Sequence, residues 1–420
     1  MFSPYRILLF STLCCAYVLV FIQNAAITVL APSVMRDLSL SPDAMGRLSS
    51  VYLCSYAVMQ FFSGLVSARL GPHRLMSLQF AAAALGGFMF ASAAGPALAM
   101  PGRAMNGLGM AGVMVSSFVL FGRWFPPSLF SRLCTAFFVA GGLGGFLATT
   151  PLALLCQAAG WRTCCLVLAA ASAVLAAMLF FVVRDFPGND APKQAPALSP
   201  RTQMSELGTL FRRRELWRLL LLFLALASPY FAFHGLWGGV YLQEVHGLSP
   251  AQSGNVLAMG AVGLIAGAPF ITWLSETCLH SHRRAFLFAG VLGAASFGAL
   301  ILFNESLPLW ALYAASLGAG VASNGPNPIA YAAARALFGS DLMGTVGGLM
   351  ASGLFAAGAV LQNISGIILD TARNCGLSSA ESFAAAFLPM ALLGLTAAAL
   401  SFTLPETCGK TRKDKNAGAA

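Results

Sequence analysis

The chain has 420 residues, of which 58% are hydrophobic and only 9% charged, and its mean hydropathy is +0.77. A water-soluble domain charges about a quarter of its residues, so most of this surface has to face lipid. The net charge of +10 does not describe a nucleic-acid stripe, because the Lys and Arg residues fall in the short breaks between apolar stretches.

Breaks at Gly, Pro and charge clusters predict twelve spanning helices, at 7–30, 47–68, 75–94, 99–121, 131–156, 162–183, 216–243, 251–274, 285–303, 308–335, 343–369 and 381–404. Each is near the length of about 20 residues that crosses a bilayer. The first apolar stretch is too long for a signal-peptide core and carries Gln23 and Asn24, which predicts a retained helix.

Polar side chains inside such helices are costly and point to function. In helix 1, Tyr17, Asn24 and Thr28 share a face, and in helix 2 Tyr52, Tyr56 and Gln60 recur every four residues. Helix 4 carries Arg103, with Asn106 one turn on. No Asp or Glu lies in the body of any predicted helix, so Arg103 has three outlets. It reaches an interface, bonds to backbone and to polar groups such as Asn106, or meets an anionic substrate.

Helix 5 holds the run Gly141-Gly142-Leu143-Gly144-Gly145, and helix 11 holds Gly344, Gly347 and Gly348, which allow close helix contact. Helix 7 has the stripe Tyr230, His234, Trp237 and Tyr241, ending at Glu244. His234 either lines a cavity wall or carries a proton, since imidazole titrates near neutral pH. In helix 10, Asn324, Asn327 and Tyr331 surround Pro326 and Pro328. These Asn residues either face a cavity or satisfy backbone groups freed by the prolines.

The ten cysteines form no metal-ligand spacing, and most sit in apolar runs as packing residues. Cys156 and Cys164 flank a short loop and are able to pair. No cofactor motif is present, and a Gly-rich Lys-Ser/Thr loop for nucleotides is missing.

With the N-terminus placed in the cytoplasm, nineteen Lys and Arg fall inside and four outside (Arg36, Arg47, Arg162 and Arg373), with Arg103 within a helix. That bias predicts both termini inside. The chain also repeats. Leu40-Ser41-Pro42 with Gly46 matches Leu248-Ser249-Pro250 with Gly254, Ser67 and His73-Arg74 match Ser275 and His282-Arg283, and the Arg123 segment matches the Arg335 segment. The expected organisation is therefore a six-helix bundle over 1–184, a cytoplasmic linker over 185–215, a second bundle over 216–404 and a tail over 405–420.

The loop Gly64-Leu-Val-Ser-Ala-Arg69-Leu-Gly71-Pro-His-Arg74 resembles the signature between helices 2 and 3 of the major facilitator superfamily. Arg103 with Gly107 and Gly109, and Gly160-Trp161-Arg162, resemble two more of its motifs. The resemblance spans essentially the whole chain. It implies an all-α membrane protein of two pseudo-symmetric six-helix bundles, in which helices 1, 4, 7 and 10 line a central cavity. It also implies a gating role for Gly64, Arg69, Gly71 and Arg74. The signature's usual acid is replaced by Ala68, and Glu276 stands at the matching place of the second half, where a clasp with Arg283 or Arg284 is expected.

The sequence thus predicts a secondary transporter of the inner membrane and not an enzyme, since no nucleophile, metal cluster or carboxylate pair is found. The expected activity is alternating-access uptake of a small organic anion with protons, by a monomer in the lipid bilayer that binds no nucleic acid. The expected substrate contacts are Asn24, Tyr52, Tyr56, Arg103, Asn106, Tyr230, His234, Trp237, Asn324, Asn327 and Tyr331. Proton-coupled efflux of amphipathic compounds is the alternative. It draws on the aromatic lining, but helix 5 lacks the Gly-Pro pair of drug–proton antiporters and has Pro151 well beyond its glycine run.

Overall fold

A computed structural model describes residues 4–186, 210–338 and 342–406, apart from the side chains of residues 65, 68, 127, 128, 130, 131, 135, 343 and 344. Most of the expected linker, the tail beyond 406 and the Ala68 side chain lie outside the described residues.

The described residues form twelve helical segments, and nine helices among these residues are long and apolar enough to cross a membrane. We number them α1 (Pro4–Asp37), α2 (Pro42–Leu70), α3 (Pro72–Ala91), α4 (Pro96–Trp124), α5 (Pro127–Leu147, continuing over 150–159) and α6 (161–182). The second six are α7 (Arg214–Glu244), α8 (Pro250–Cys278), α9 (His282–Leu302), α10 (Leu309–Asn324 and Asn327–Phe338), α11 (Met343–Asn374) and α12 (Ser379–Ser401). Large apolar side chains such as Phe88, Phe181, Val291 and Leu302 are exposed along these helices, as lipid-facing positions require.

Local chemistry sets the ends. Pro42 enters α2 behind Ser41, whose hydroxyl accepts from the Ala44 N–H at 3.2 Å. The matching Ser249 and Gln252 cap α8 reciprocally, the Ser249 N–H donating to Gln252 Oε1 at 3.0 Å and the Gln252 N–H donating to Ser249 Oγ at 3.2 Å. Gly71, at φ 84°, turns the chain from α2 into α3. Helix α1 runs past Pro32 to Asp37, well beyond the end expected at residue 30, because an interior proline removes one hydrogen bond without ending a packed helix.

Irregular turns interrupt or end several helices, and α4 is broken between Met110 and Val113. α5 is broken between Leu147 and Thr150, Gly160 at φ 80° separates α5 from α6, and α10 is broken between Asn324 and Asn327. In α7 the turn Phe233–Trp237 is π-helical, and α8 ends in a second π turn, Leu274–Cys278.

The chain divides into two compact units. Unit 1 is Met1–Ala197 with His234–Ala258, and unit 2 is Leu198–Phe233 with Met259–Ala420. The division cuts α7 at its π turn. Within unit 1, α3 packs on α4 and α6, and α1 packs on α5 and α6. Within unit 2, α9 packs on α12 and α7 on α11, around a core that includes Leu216, Phe223, Phe286, Ile329 and Met350.

Each unit carries an acidic strap at the end rich in Lys and Arg. In unit 1, Asp185, just after α6, accepts from the His73 N–H at 2.9 Å and pairs with His73 Nδ1 at 2.7 Å, capping the start of α3. Gly71 leaves the room, since a Cβ there would strike the Asp185 carboxylate. Trp124 Nε1 donates to the Arg184 carbonyl at 2.8 Å, and Arg123 lies 4.2 Å over the Phe186 ring. In unit 2, Glu406 after α12 accepts from the His282 N–H at 3.0 Å and from the Ser281 hydroxyl, capping α9.

This corrects the clasp expected at Glu276. That residue is exposed on the terminal π turn of α8 and forms no ion pair with Arg283 or Arg284 among the described residues. Arg283 instead lies 5.0 Å over the Phe402 ring. The acid that holds this corner comes from the end of α12. Gly64, Arg69 and Arg74 are exposed at the corresponding corner of unit 1.

Candidate functional site

The site builds outward from α4. Small residues bring it close to its neighbours: Gly86 and Gly102 meet backbone to backbone between α3 and α4, where a Cβ at Gly86 would lie 2.5 Å from the Gly102 carbonyl oxygen. Gly107 lies against the Tyr52 carbonyl of α2. These approaches hold Arg103 inside unit 1 with only 3% of its surface exposed.

Arg103 is held by aromatic faces. Its guanidinium carbon lies 4.4 Å from the Tyr52 ring centre and 5.7 Å from that of Phe90. Nε and Nη2 have no hydrogen-bond partner among the described residues. Those two groups form one edge of the guanidinium fork, the edge that fits two oxygens of a carboxylate or sulfonate. Tyr52 and Tyr56, both buried, sit with ring centres 6.2 Å apart on the same α2 face.

Beside the cation runs a neutral polar chain. Asn106 Nδ2 donates to Gln23 Oε1 at 3.2 Å, and Gln23 Nε2 reaches Ser172 Oγ at 3.5 Å. Asn106 therefore serves α1 and not Arg103. A small cavity is lined by Gln23, Phe90, Arg103, Asn106, Cys165 and Leu168, which join α1, α3, α4 and α6. Gln23, Phe90 and Ser172 were not among the residues expected here. Gln23 carried a signal, an amide within an apolar stretch, whereas Phe90 is one phenylalanine among 32.

The other predicted residues distribute differently. Tyr17 stacks on Phe137 at 4.0 Å, which makes it a packing residue between α1 and α5. Thr28 donates to the His234 carbonyl in the α7 π turn. Asn24 is half-buried. His234 is buried with 6% exposure, Trp237 is buried, and Tyr241 meets His246 Nε2 at 3.0 Å. The four-residue stripe of α7 is therefore interrupted by the π turn, with Tyr230 in unit 2 and His234, Trp237 and Tyr241 in unit 1.

In unit 2, Asn324 Nδ2 donates to the Leu264 carbonyl at 2.6 Å, and Asn327 Nδ2 donates to Asn324 Oδ1 at 2.7 Å. These bonds link α10 to α8 through the Asn324 side chain, and neither acceptor is a backbone group freed by Pro326 or Pro328. Tyr331 meets the Phe223 ring edge-on at 6.1 Å. No group of three His, Cys, Asp or Glu side chains able to hold a metal occurs among the described residues.

The family model of the Major Facilitator Superfamily matches residues 13–362 and again 240–418, and the chain belongs to that superfamily. It is a membrane transporter and not an enzyme. Among similar proteins, the hexuronate transporter of Bacillus subtilis is 25% identical over 88% of this chain and 89% of its own. The "Probable sulfoacetate transporter" of Cupriavidus necator is 24% identical over 95% and 94%. The fold matches that of a bacterial homologue of the human lysosomal transporter Spinster, with a TM-score of 0.77, 18% identity, and coverage of 96% of this chain and 97% of that one.

Proposed function

We propose that this transporter moves a small organic anion inward across the inner membrane by alternating access, together with protons, and that Arg103 binds the anionic group. The observation that carries the reading is a buried guanidinium whose Nε and Nη2 groups find no acceptor among the described residues. A buried cation needs a compensating charge, and no carboxylate is among the residues that line the cavity at Arg103. The similar hexuronate and sulfoacetate transporters are named for a carboxylate and a sulfonate, both of which match the fork of Arg103. Gln23 and Asn106 position the site, and Tyr52 and Tyr56 form its wall.

His234 carries the coupled proton in this reading, as a buried imidazole in an irregular turn. The working form is a monomer, with both termini on the cytoplasmic side where most basic residues fall. The contacts assigned to Asn24, Tyr230, Trp237, Asn324, Asn327 and Tyr331 are held as secondary to Arg103.

The test is uptake into proteoliposomes of labelled hexuronates, sulfoacetate and neutral sugars, with and without an inward proton gradient. Anion uptake driven by the gradient and abolished in Arg103→Ala supports the reading. Arg103→Lys retains charge but loses the fork, and about a tenfold loss is expected. Neutral-sugar uptake that survives Arg103→Ala would overturn the anion assignment. His234→Gln should flatten the dependence on pH, and an unchanged profile removes His234 as the carrier of the proton.

A further inference from the structure

The polar chain beside Arg103 has a direction, and Ser172 sets it. The Ser172 hydroxyl donates to the Leu168 carbonyl at 2.8 Å, so its oxygen is left to accept. Gln23 then has to offer that oxygen its amide N–H, at 3.5 Å, which turns its own carbonyl oxygen toward Asn106. Asn106 answers with Nδ2 at 3.2 Å, and its Oδ1 is what remains. That oxygen is buried and has no hydrogen-bond partner among the described residues.

Opposite needs therefore meet in one cavity. Arg103 and Asn106 both line it, each with 3% of its surface exposed. They lie three positions apart on α4 and share a face of the helix. Arg103 presents Nε and Nη2 as donors without acceptors, and Asn106 presents an acceptor without a donor. An anion that carries oxygen acceptors alone answers the first need and leaves Asn106 Oδ1 buried and unsatisfied. A ligand that answers both carries a hydrogen-bond donor close to its charged group. An ammonium would supply the donor but set a second cation against the guanidinium. A hydroxyl supplies it without charge.

We propose that the transported anion is a 2-hydroxycarboxylate, with its carboxylate on the Arg103 fork and its hydroxyl donating to Asn106 Oδ1. This rests on the reading of Arg103 as the anion site and adds Asn106 as the residue that selects among anions. Gln23 and Ser172 are positioning residues, since they act by fixing which end of the Asn106 amide faces the cavity.

The experiment measures kcat/KM for labelled gluconate and 2-deoxygluconate in proteoliposomes of the full-length protein. These monoanions differ only in the hydroxyl beside the carboxylate. Gluconate should be favoured at least about tenfold. Asn106→Ala should bring the ratio near one by slowing gluconate and sparing 2-deoxygluconate, whose continued entry shows that the variant is folded. Asn106→Ser, with its oxygen withdrawn on a shorter side chain, should lower the ratio likewise and decides the matter where the Ala variant is inert.

Equal entry of the two probes in the wild type, both lost in Arg103→Ala, overturns the hydroxy-acid assignment and leaves the anion reading standing. Entry of either probe that survives Arg103→Ala removes the anion reading itself. No entry of gluconate overturns the substrate class. A ratio unchanged in an Asn106 variant, or loss of both probes in both variants, overturns the selecting role of Asn106.

Discussion

In unit 1, Asp185 follows the sixth helix and grips the start of α3 through the His73 backbone and ring; in unit 2, Glu406 follows the twelfth and grips the start of α9 through Ser281 and the His282 backbone. The corners are alike in design. The interiors are not. Unit 1 buries a cation against Tyr52 and Phe90 beside the Gln23–Asn106–Ser172 chain, while the asparagines of unit 2 spend their amide N–H groups on the Leu264 carbonyl and on each other. The two units are alike in how their corners are held and differ in the buried cation that unit 1 carries at Arg103. An unspent buried cation is expensive, which is the mark of a residue held for something other than stability.

Five substitutions break or sharpen this contrast. The largest effect is expected for Arg103→Ala, at about 100-fold or more in anion uptake, as for removal of a buried charge partner. Asn327→Ala in unit 2 should cost less than about fivefold, because its amide serves Asn324. Equal losses, measured as initial rates at matched expression, would dissolve the difference between the interiors.

Next in size is the strap. Asp185→Asn removes the carboxylate facing the His73 ring and should lower the melting temperature in detergent by a few degrees, for about 1–2 kcal/mol. Glu406→Gln keeps an acceptor for neutral donors and should cost about half as much. A larger loss for Glu406→Gln would mean that the second corner is the one under load. The smallest effect is expected for Glu276→Lys, which should change stability by less than about 0.5 kcal/mol because the side chain is exposed.

Much of this architecture is legible in the sequence because lipid allows few solutions: apolar runs must be helices, and their number follows from counting breaks. Arg103 was visible for the same reason, as a charge in an apolar setting. Its surroundings were not. Phe90 and Cys165 look like any other apolar residue until α3 and α6 are placed beside α4, which the close approaches of Gly86 to Gly102, Gly109 to Ala83 and Gly87 to Ala169 help to do. The substitution of Ala68 pointed to a missing acid, but the supply of acids from the ends of α6 and α12 depends on where chain ends return, which no local spacing encodes. The α7 stripe rests on spacings of four, three and four residues that assume an unbroken α-helix, and neither Phe233 nor Gly235 announces a π turn.

That turn leaves α7 with one residue more than a regular helix would need over the same rise. Removing one of residues 233–237 would restore the ordinary ladder, whereas removing a residue from a regular stretch of α7 would swing everything beyond it by about 100°. The surplus residue therefore acts as a phase shifter. It lets the two ends of one continuous helix present different faces, so each end can be fitted to its own surroundings without the other paying for it.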